Sequence, residues 1–303
     1  MLDAHSLTAN RLSCCQLSTS KWTLNEDLIR YNTHGFDSLG IWRSKIQDIG
    51  TDQAIDLIHE SPMSVSSVHW IGGFTGSDGQ RLIDSMNDAV DGIRLASRLS
   101  AGCLIVHPGA RNGHTMSHAH RLLSQATEKL LPIAEDYGVT LAIEPILWDR
   151  KSEWSFLKSL DANLKFISQF EHSNLKLVLD LFHVGLNSEV FERLHQFVDQ
   201  IALVQLADRF STGTSNGAIP WYATQRQMLG MGDVNIPRWI NRLESLGYKG
   251  QYEVEVHGCS TDYFDMLDRS ALFTDQIRIQ PSQPAQPNSK PAKSAIQADA
   301  ANQ

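Results

Sequence analysis

Four short apolar runs in this 303-residue chain end on oxygen-bearing side chains. Val139 to Ile143 stops on Glu144 and then Pro145. Leu175 to Leu179 stops on Asp180, with His183 three residues further on. Ile201 to Val204 brings Gln205 to its end, and Gln251 to Val254 brings Glu255. Runs of this length, apolar almost throughout, are the pattern of strands buried on both faces in a parallel sheet. Side chains alternate along a strand, so Thr140, Ala142 and Glu144 share one face, as do Leu203 and Gln205. Three carboxylates brought to one place cannot all stay ionised without a cation beside them. The pattern therefore predicts one site at four strand ends, with a divalent metal held by Glu144, Asp180, Gln205 and Glu255. Oxygen donors without a thiolate favour Mn2+ or Mg2+, with Co2+ or Zn2+ also admissible, and His183 tilts that balance if it ligates. Taken singly, any of these residues also fits a salt-bridged core position. Glu253 shares the strand face of Glu255 and is its rival; nearness to the strand end favours Glu255. Either glutamate also fits as an ion-pair partner of Lys176 or an arginine.

The elements needed to position these residues recur along the chain. Strands are predicted at Arg11 to Leu17, Phe36 to Trp42, Val65 to Trp70 and Cys103 to His107, ahead of the four already named. Helices follow each. One opens on Thr23-Leu24-Asn25-Glu26, the pattern of a capping box. Others run through Ile55 to Ile58, from Asp78 to Leu99, from Thr115 to Tyr137 with Gly138 as its stop, and from Leu160 to Phe170. The last three run from Glu189 to Phe197, Ile236 to Leu246 and Asp262 to Phe273. Eight strand-then-helix units at spacings of roughly 30 residues predict a closed (β/α)8 barrel, with an open doubly wound sheet as the alternative. In such a barrel the active site lies at the C-terminal ends of the strands. The barrel domain is placed at 1–278. From 279 to 303 the chain turns rich in Pro, Ser, Gln and Ala, which predicts a disordered tail with no catalytic part.

Composition narrows the function. A net charge of −8 with 42% apolar residues speaks against a general nucleic-acid or membrane-surface binder and leaves room for a small anionic substrate. The four cysteines, Cys14, Cys15, Cys103 and Cys259, form no CxxC pair and are read as buried thiols in a reducing compartment. The N-terminus lacks a signal-peptide layout and no stretch approaches membrane-spanning length, so a cytoplasmic protein is expected. A homo-oligomer is compatible with all of this.

The ordered pieces AIEP at Glu144, LDLFHVG around Asp180 and His183, VQLAD at Gln205, LGMGDVNI at Gly230 to Ile236, and GYKGQYEVEV ending near Glu255 resemble the sugar phosphate isomerase/epimerase family. LIVHPG at Leu104 to Gly109 fits the same pattern. These are the xylose-isomerase-like barrels, which include ketose 3-epimerases, hydroxypyruvate isomerase, inosose isomerases and dehydratases, and endonuclease IV. The resemblance spans about Arg11 to Phe273 and implies a xylose-isomerase-like TIM barrel. It places the family's metal ligands on Glu144, Asp180, Gln205 and Glu255, and its substrate-binding histidine on His183. Most members carry His where this chain has Gln205; hydroxypyruvate-isomerase-like members carry Gln. The implied chemistry is proton transfer beside a carbonyl, through an enediolate held on the metal, with Glu144 and Glu255 as the catalytic acid–base pair.

The expected substrate is a small sugar, keto-sugar, inosose or other hydroxy-ketone, and the expected activity that of an isomerase or epimerase. A lyase of the inosose or dehydroshikimate dehydratase type is the alternative on the same barrel, and a non-catalytic sugar-binding barrel is another. Endonuclease IV activity is disfavoured by Gln205 and by the acidic balance. His69 and His107 end strands three and four and are candidate substrate contacts, each against a structural alternative. Arg209 is a candidate for a substrate carboxylate or phosphate. Trp148, with Trp42, Trp70 and Trp221, lies in or beside mouth loops where an indole can wall a pocket or simply pack.

Overall fold

The computed structural model describes residues 11–146, 154–211, 225–258 and 262–278. Trp148, Trp221, Cys259 and the expected tail at 279–303 lie outside them. Eight parallel strands close into a barrel in chain order, the last pairing back onto the first. They are β1 (Leu12–Cys15), β2 (Ser38–Trp42), β3 (Ser64–Gly72), β4 (Cys103–His107), β5 (Leu141–Ile143), β6 (Leu175–Asp180), β7 (Ile201–Leu206) and β8 (Gln251–Val254). The helices are α1 (Leu24–Thr33), α2 (Arg43–Ile49), α3 (Thr51–Glu60), α4 (Leu82–Arg98), α5 (Met116–Asp136), α6 (Leu160–Ile167), α7 (Leu181–Val184), α8 (Ser188–Arg193), α9 (Ile236–Ser245) and α10 (Tyr263–Arg278).

Local chemistry explains most boundaries. Thr23 and Glu26 form the reciprocal capping box that starts α1. Thr115 caps α5, and Gly138, at a positive φ of 67°, follows its end. Three differences from expectation are physical. α2 has no side-chain cap at Trp42 and spans seven residues, too few to announce a helical period. α4 begins at Leu82 instead of Asp78, because the Gly72 to Gly79 stretch contains four positive-φ glycines. The helix expected from Glu189 to Phe197 gives way after Arg193 to 3-10 turns at Leu194–Gln196 and Val198–Gln200.

The barrel interior has two unlike sectors. Cys103, Ile105, Ala142, Val178 and Leu203 from β4 to β7 pack as an apolar filling. The β8–β1–β3 sector is polar. There Ser13 meets Ser66, and Ser66, Ser67 and His69 all bond Glu253, so β3 and β8, which are not neighbours, are joined across the lumen. All five of these residues are at most 2% exposed. A larger cluster, from Leu12 to Leu267, fills the shell between barrel and helices.

Candidate active site

The strand register sets the height of each rim side chain. Asp180 pairs with Gln205, and Gln205 with Glu253, so these three are register neighbours on β6, β7 and β8. Glu255 stands two residues higher, just beyond β8, and Glu144 just beyond β5, where Pro145 has no amide to continue the ladder. All five side chains are buried, none more than 4% exposed.

Each carboxylate has its own partners. Glu144 Oε2 lies 2.8 Å from His107 Nε2, and its Oε1 is 4.0 Å from His183 Nε2. Asp180 Oδ1 accepts from the Phe182 amide at 2.8 Å, while Oδ2 accepts from the Arg226 guanidinium at 2.6 Å. The same Arg226 nitrogen lies 3.3 Å from Glu255 Oε1, and its cation sits 4.8 Å from the centre of the Phe182 ring. Glu255 Oε1 also meets His257 Nε2 at 3.1 Å, and its Oε2 accepts from the Gln205 amide nitrogen. Part of the positive charge that three neighbouring carboxylates require is thus supplied by Arg226.

The balance remains short of cations. Burial pushes Asp180 up to about 7, with Glu255 and Glu144 adding to the rise, in spite of Arg226. Burial also pushes on Glu255, but Arg226 and His257 outweigh it and hold that carboxyl well below the usual range. At Glu144 the hydrogen bond and charge of His107 overcome burial in the same way. Burial, helped by Arg226, drives the His183 imidazole down to about 3, so this ring is neutral and can offer a lone pair.

A divalent ion fits this rim. The ligand atoms of Glu144, Asp180 and His183 lie within 4.8 Å of one another. Gln205 Oε1 is buried and, among the described residues, has no hydrogen-bond partner. Cys15, His69, Glu253 and Glu255 form a second grouping within the same 4.8 Å limit.

The expected site residues distribute as follows. Glu144, Asp180, Gln205, Glu255 and His183 converge on the rim. His107 joins them through Glu144, and its buried Nδ1 has no partner among the described residues. His69, expected at the end of β3, lies inside it, three residues short of Gly72, and turns toward Glu253, 2.9 Å away, and the Cys15 sulfur at 3.5 Å; it is 2% exposed. Arg209 is buried just beyond β7, close enough for its charge to be felt at His183. Its backbone is anchored by the Asp208 carboxylate and by the Asp233 amide. Trp148 falls outside the described residues.

Several neighbours were not anticipated. Arg226 lies in an irregular stretch without periodicity, where only the closed fold reveals its aim. Trp70, a candidate pocket wall from the sequence, stacks on His107 at 5.1 Å, and Trp154, which was not among those candidates, stands edge-on to both. Cys15 shares the inner face of β1 with Ser13, an alternation visible in the sequence once β1 is placed.

Comparison with known proteins agrees with the geometry. A family model described as xylose isomerase-like TIM barrel matches residues 30–278. An uncharacterized protein of Methanocaldococcus jannaschii, MJ1311, is 24% identical over 179 residues, and the match spans 57% of this chain and 56% of that protein's length. The crystal structure of the IolI protein with a bound zinc atom superposes with a TM-score of 0.74 at 16% identity, covering 88% of this chain and 98% of that one. A D-allulose 3-epimerase from Methylomonas sp. gives a TM-score of 0.70 at 15% identity, over 88% and 97% of the two chains. At these identities the structural neighbours establish the fold. No helix among the described residues is long and apolar enough to cross a membrane.

Proposed function

The chain belongs to the xylose isomerase-like TIM-barrel family, and on that premise we propose that it is a divalent-metal-dependent isomerase or epimerase. Its substrate would be a small sugar, keto-sugar or inosose-type ketone. The observation that carries this is the pair Glu144 and Glu255. Both are buried at the rim, three strands apart around the ring, and each is oriented by its own histidine. Two carboxylates approaching a substrate from different sectors suit removal of a proton beside a carbonyl by one and its return by the other.

Glu144, Asp180, Gln205 Oε1 and Glu255 would hold the metal, with Mn2+ or Mg2+ favoured by the oxygen donors. When bound, such an ion supplies positive charge beside the carbonyl oxygen, where negative charge develops as the proton leaves. His107 fixes Glu144 through Nε2 and leaves Nδ1 to meet a substrate hydroxyl. Neutral His183 offers a second such contact. Trp70 and Trp154 wall the Glu144 side and keep water from it. His257, with 43% of its side chain exposed, links Glu255 to solvent, so the proton held there exchanges.

That exchange supplies the test. Candidate ketoses are incubated with metal-loaded protein in heavy water, and deuterium at the carbon beside the carbonyl is followed by NMR. Incorporation with a new sugar as product supports the proposal. A new ultraviolet-absorbing enone or diketone assigns a lyase instead. Unlabelled, unchanged substrate across the panel, with ligand still bound, leaves a sugar-binding barrel.

A further inference from the structure

Glu253 is the least expected charge in the molecule. It is 0% exposed, inside the lumen, one pleat below the rim. A lone carboxylate at such a place is strongly unfavourable, and this one is surrounded by donors. Ser66 and Ser67 hydroxyls each donate to Oε2 at 2.6 Å; His69 Nε2 meets Oε1 at 2.9 Å; Gln205 Nε2 donates to Oε1 at 3.3 Å.

Three features of the backbone serve this one side chain. Consecutive strand residues normally face opposite sides, yet Ser66 and Ser67 reach the same oxygen. They do so because the β2–β3 register shifts there: Leu39 pairs with Val65 and Gly40 with Ser67, leaving Ser66 as an extra residue. Gly40 is the second feature. A Cβ at that position would collide with the Glu253 carboxylate. The third is the register that sets Glu253 directly beside Gln205.

What this arrangement controls is the direction of the Gln205 amide. A glutamine can present oxygen or nitrogen to the same point by a half-turn about its last bond, so an amide ligand is ambiguous where a histidine ring is not. With Oε2 of Glu253 held by the two serine hydroxyls, the oxygen that faces Gln205 is an acceptor, and it selects the amide nitrogen. Glu253 on one side and Glu255 on the other both take Gln205 Nε2. Oε1 is thereby turned away from both and, among the described residues, left without a partner. We infer that Glu253 is a positioning residue: through its hydrogen bond to Gln205 it holds the amide oxygen in the metal-ligating direction. His69 Nε2, 2.9 Å from Oε1, holds the Glu253 carboxyl in place from across the lumen.

The role depends on the metal site proposed above, and the experiment separates the two. Mn2+ binding to the full chain is measured by titration calorimetry and by electron paramagnetic resonance of the free ion. The forms compared are wild type, Glu253→Ala, Glu253→Gln, Gln205→Ala and the Glu253→Ala/Gln205→Ala double variant, each checked for folding by circular dichroism. Glu253→Ala is expected to weaken Mn2+ binding by about 10–100-fold, the range for losing an outer residue that orients a ligand. Glu253→Gln is expected to bind close to wild type. Its carbonyl still accepts from Gln205, and its amide nitrogen can donate to the serine hydroxyls. In the Gln205→Ala background, Glu253→Ala is expected to change binding little further, because residues acting through one another are not additive.

An equal loss with and without Gln205 overturns the positioning role while leaving the metal site standing, and so does undiminished binding by Glu253→Ala. Wild type that binds no Mn2+ removes the metal site and, with it, the role of Glu253. If Glu253→Ala fails to fold, Glu253→Gln decides: binding as weak as that of Gln205→Ala overturns the inference.

Discussion

Arg226→Met removes the guanidinium from the rim while keeping an apolar stem over Phe182. The lost contacts are 2.6 Å to Asp180 and 3.3 Å to Glu255, and all three side chains are at most 7% exposed, so water screens them little. At an effective dielectric of about 20, the two pairs are worth roughly 6 and 5 kcal/mol of gross attraction. Desolvation of the arginine is recovered in the variant, and the net loss on removing one partner of a buried pair is about 3–5 kcal/mol. For a domain of this size, each kcal/mol moves the melting temperature by about 2–4 °C. Metal-free Arg226→Met should therefore melt roughly 10 °C below wild type. A divalent ion bound only by the native state restores about 4 kcal/mol at a thousandfold excess over its Kd. With no guanidinium competing for the same oxygens, Mn2+ should raise the melting temperature of the variant more than that of wild type. Calorimetric melts in chelator and in excess Mn2+ give both numbers. Coincident melts in chelator, or equal Mn2+ shifts in the two proteins, would refute the picture of a rim short of positive charge.

Three further outcomes can be checked. Glu144→Gln and Glu255→Gln should each lower turnover by about 10²–10⁴-fold, the usual contribution of a positioned acid or base, and deuterium incorporation should fall with turnover. Unchanged rates would remove the proton-transfer roles. Gln205→Ala should chiefly raise the metal concentration needed for half-maximal activity, with the saturated rate less affected; the reverse pattern would contradict its role as a ligand. At His69, burial lowers the imidazole but Glu253 outweighs it and holds it above its ordinary value. The folded state therefore keeps a proton that the unfolded chain releases near pH 6.5. This stabilising contribution is complete below that pH and is lost as pH rises through the folded-state value. Glu253→Gln should flatten the alkaline part of the stability curve, and the His69 ring signals in NMR should titrate at lower pH. An unshifted titration would show that Glu253 is not its partner.

The barrel was legible because buried parallel strands leave short, strongly apolar marks. β4 and β6 begin and end at the residues expected from the sequence, since His107-Pro108 and Asp180 interrupt the apolar run sharply. α2 left no such mark, having neither cap nor period. At the site, the strand-end residues were visible for the same reason as the strands: a charge closing an apolar run stands out. Glu253 and Glu255 could be compared as strand-face neighbours, but only the closed lumen shows that the lower one meets Ser66, Ser67 and His69 from across the barrel. Arg226 was not legible at all. Its place between Asp180 and Glu255 depends on how the stretch after β7 returns to the rim, which local pattern does not encode.

The indoles at the mouth also have a practical consequence. Trp70 lies against the ring of His107, the histidine bonded to Glu144, and Trp154 meets both edge-on within 5.5 Å while 42% of its surface faces solvent. A ligand that reached Glu144 through His107 would lie next to this pair. The chain thus carries a built-in optical reporter, and its ultraviolet emission offers a label-free way to screen compounds for occupancy before any product assay exists.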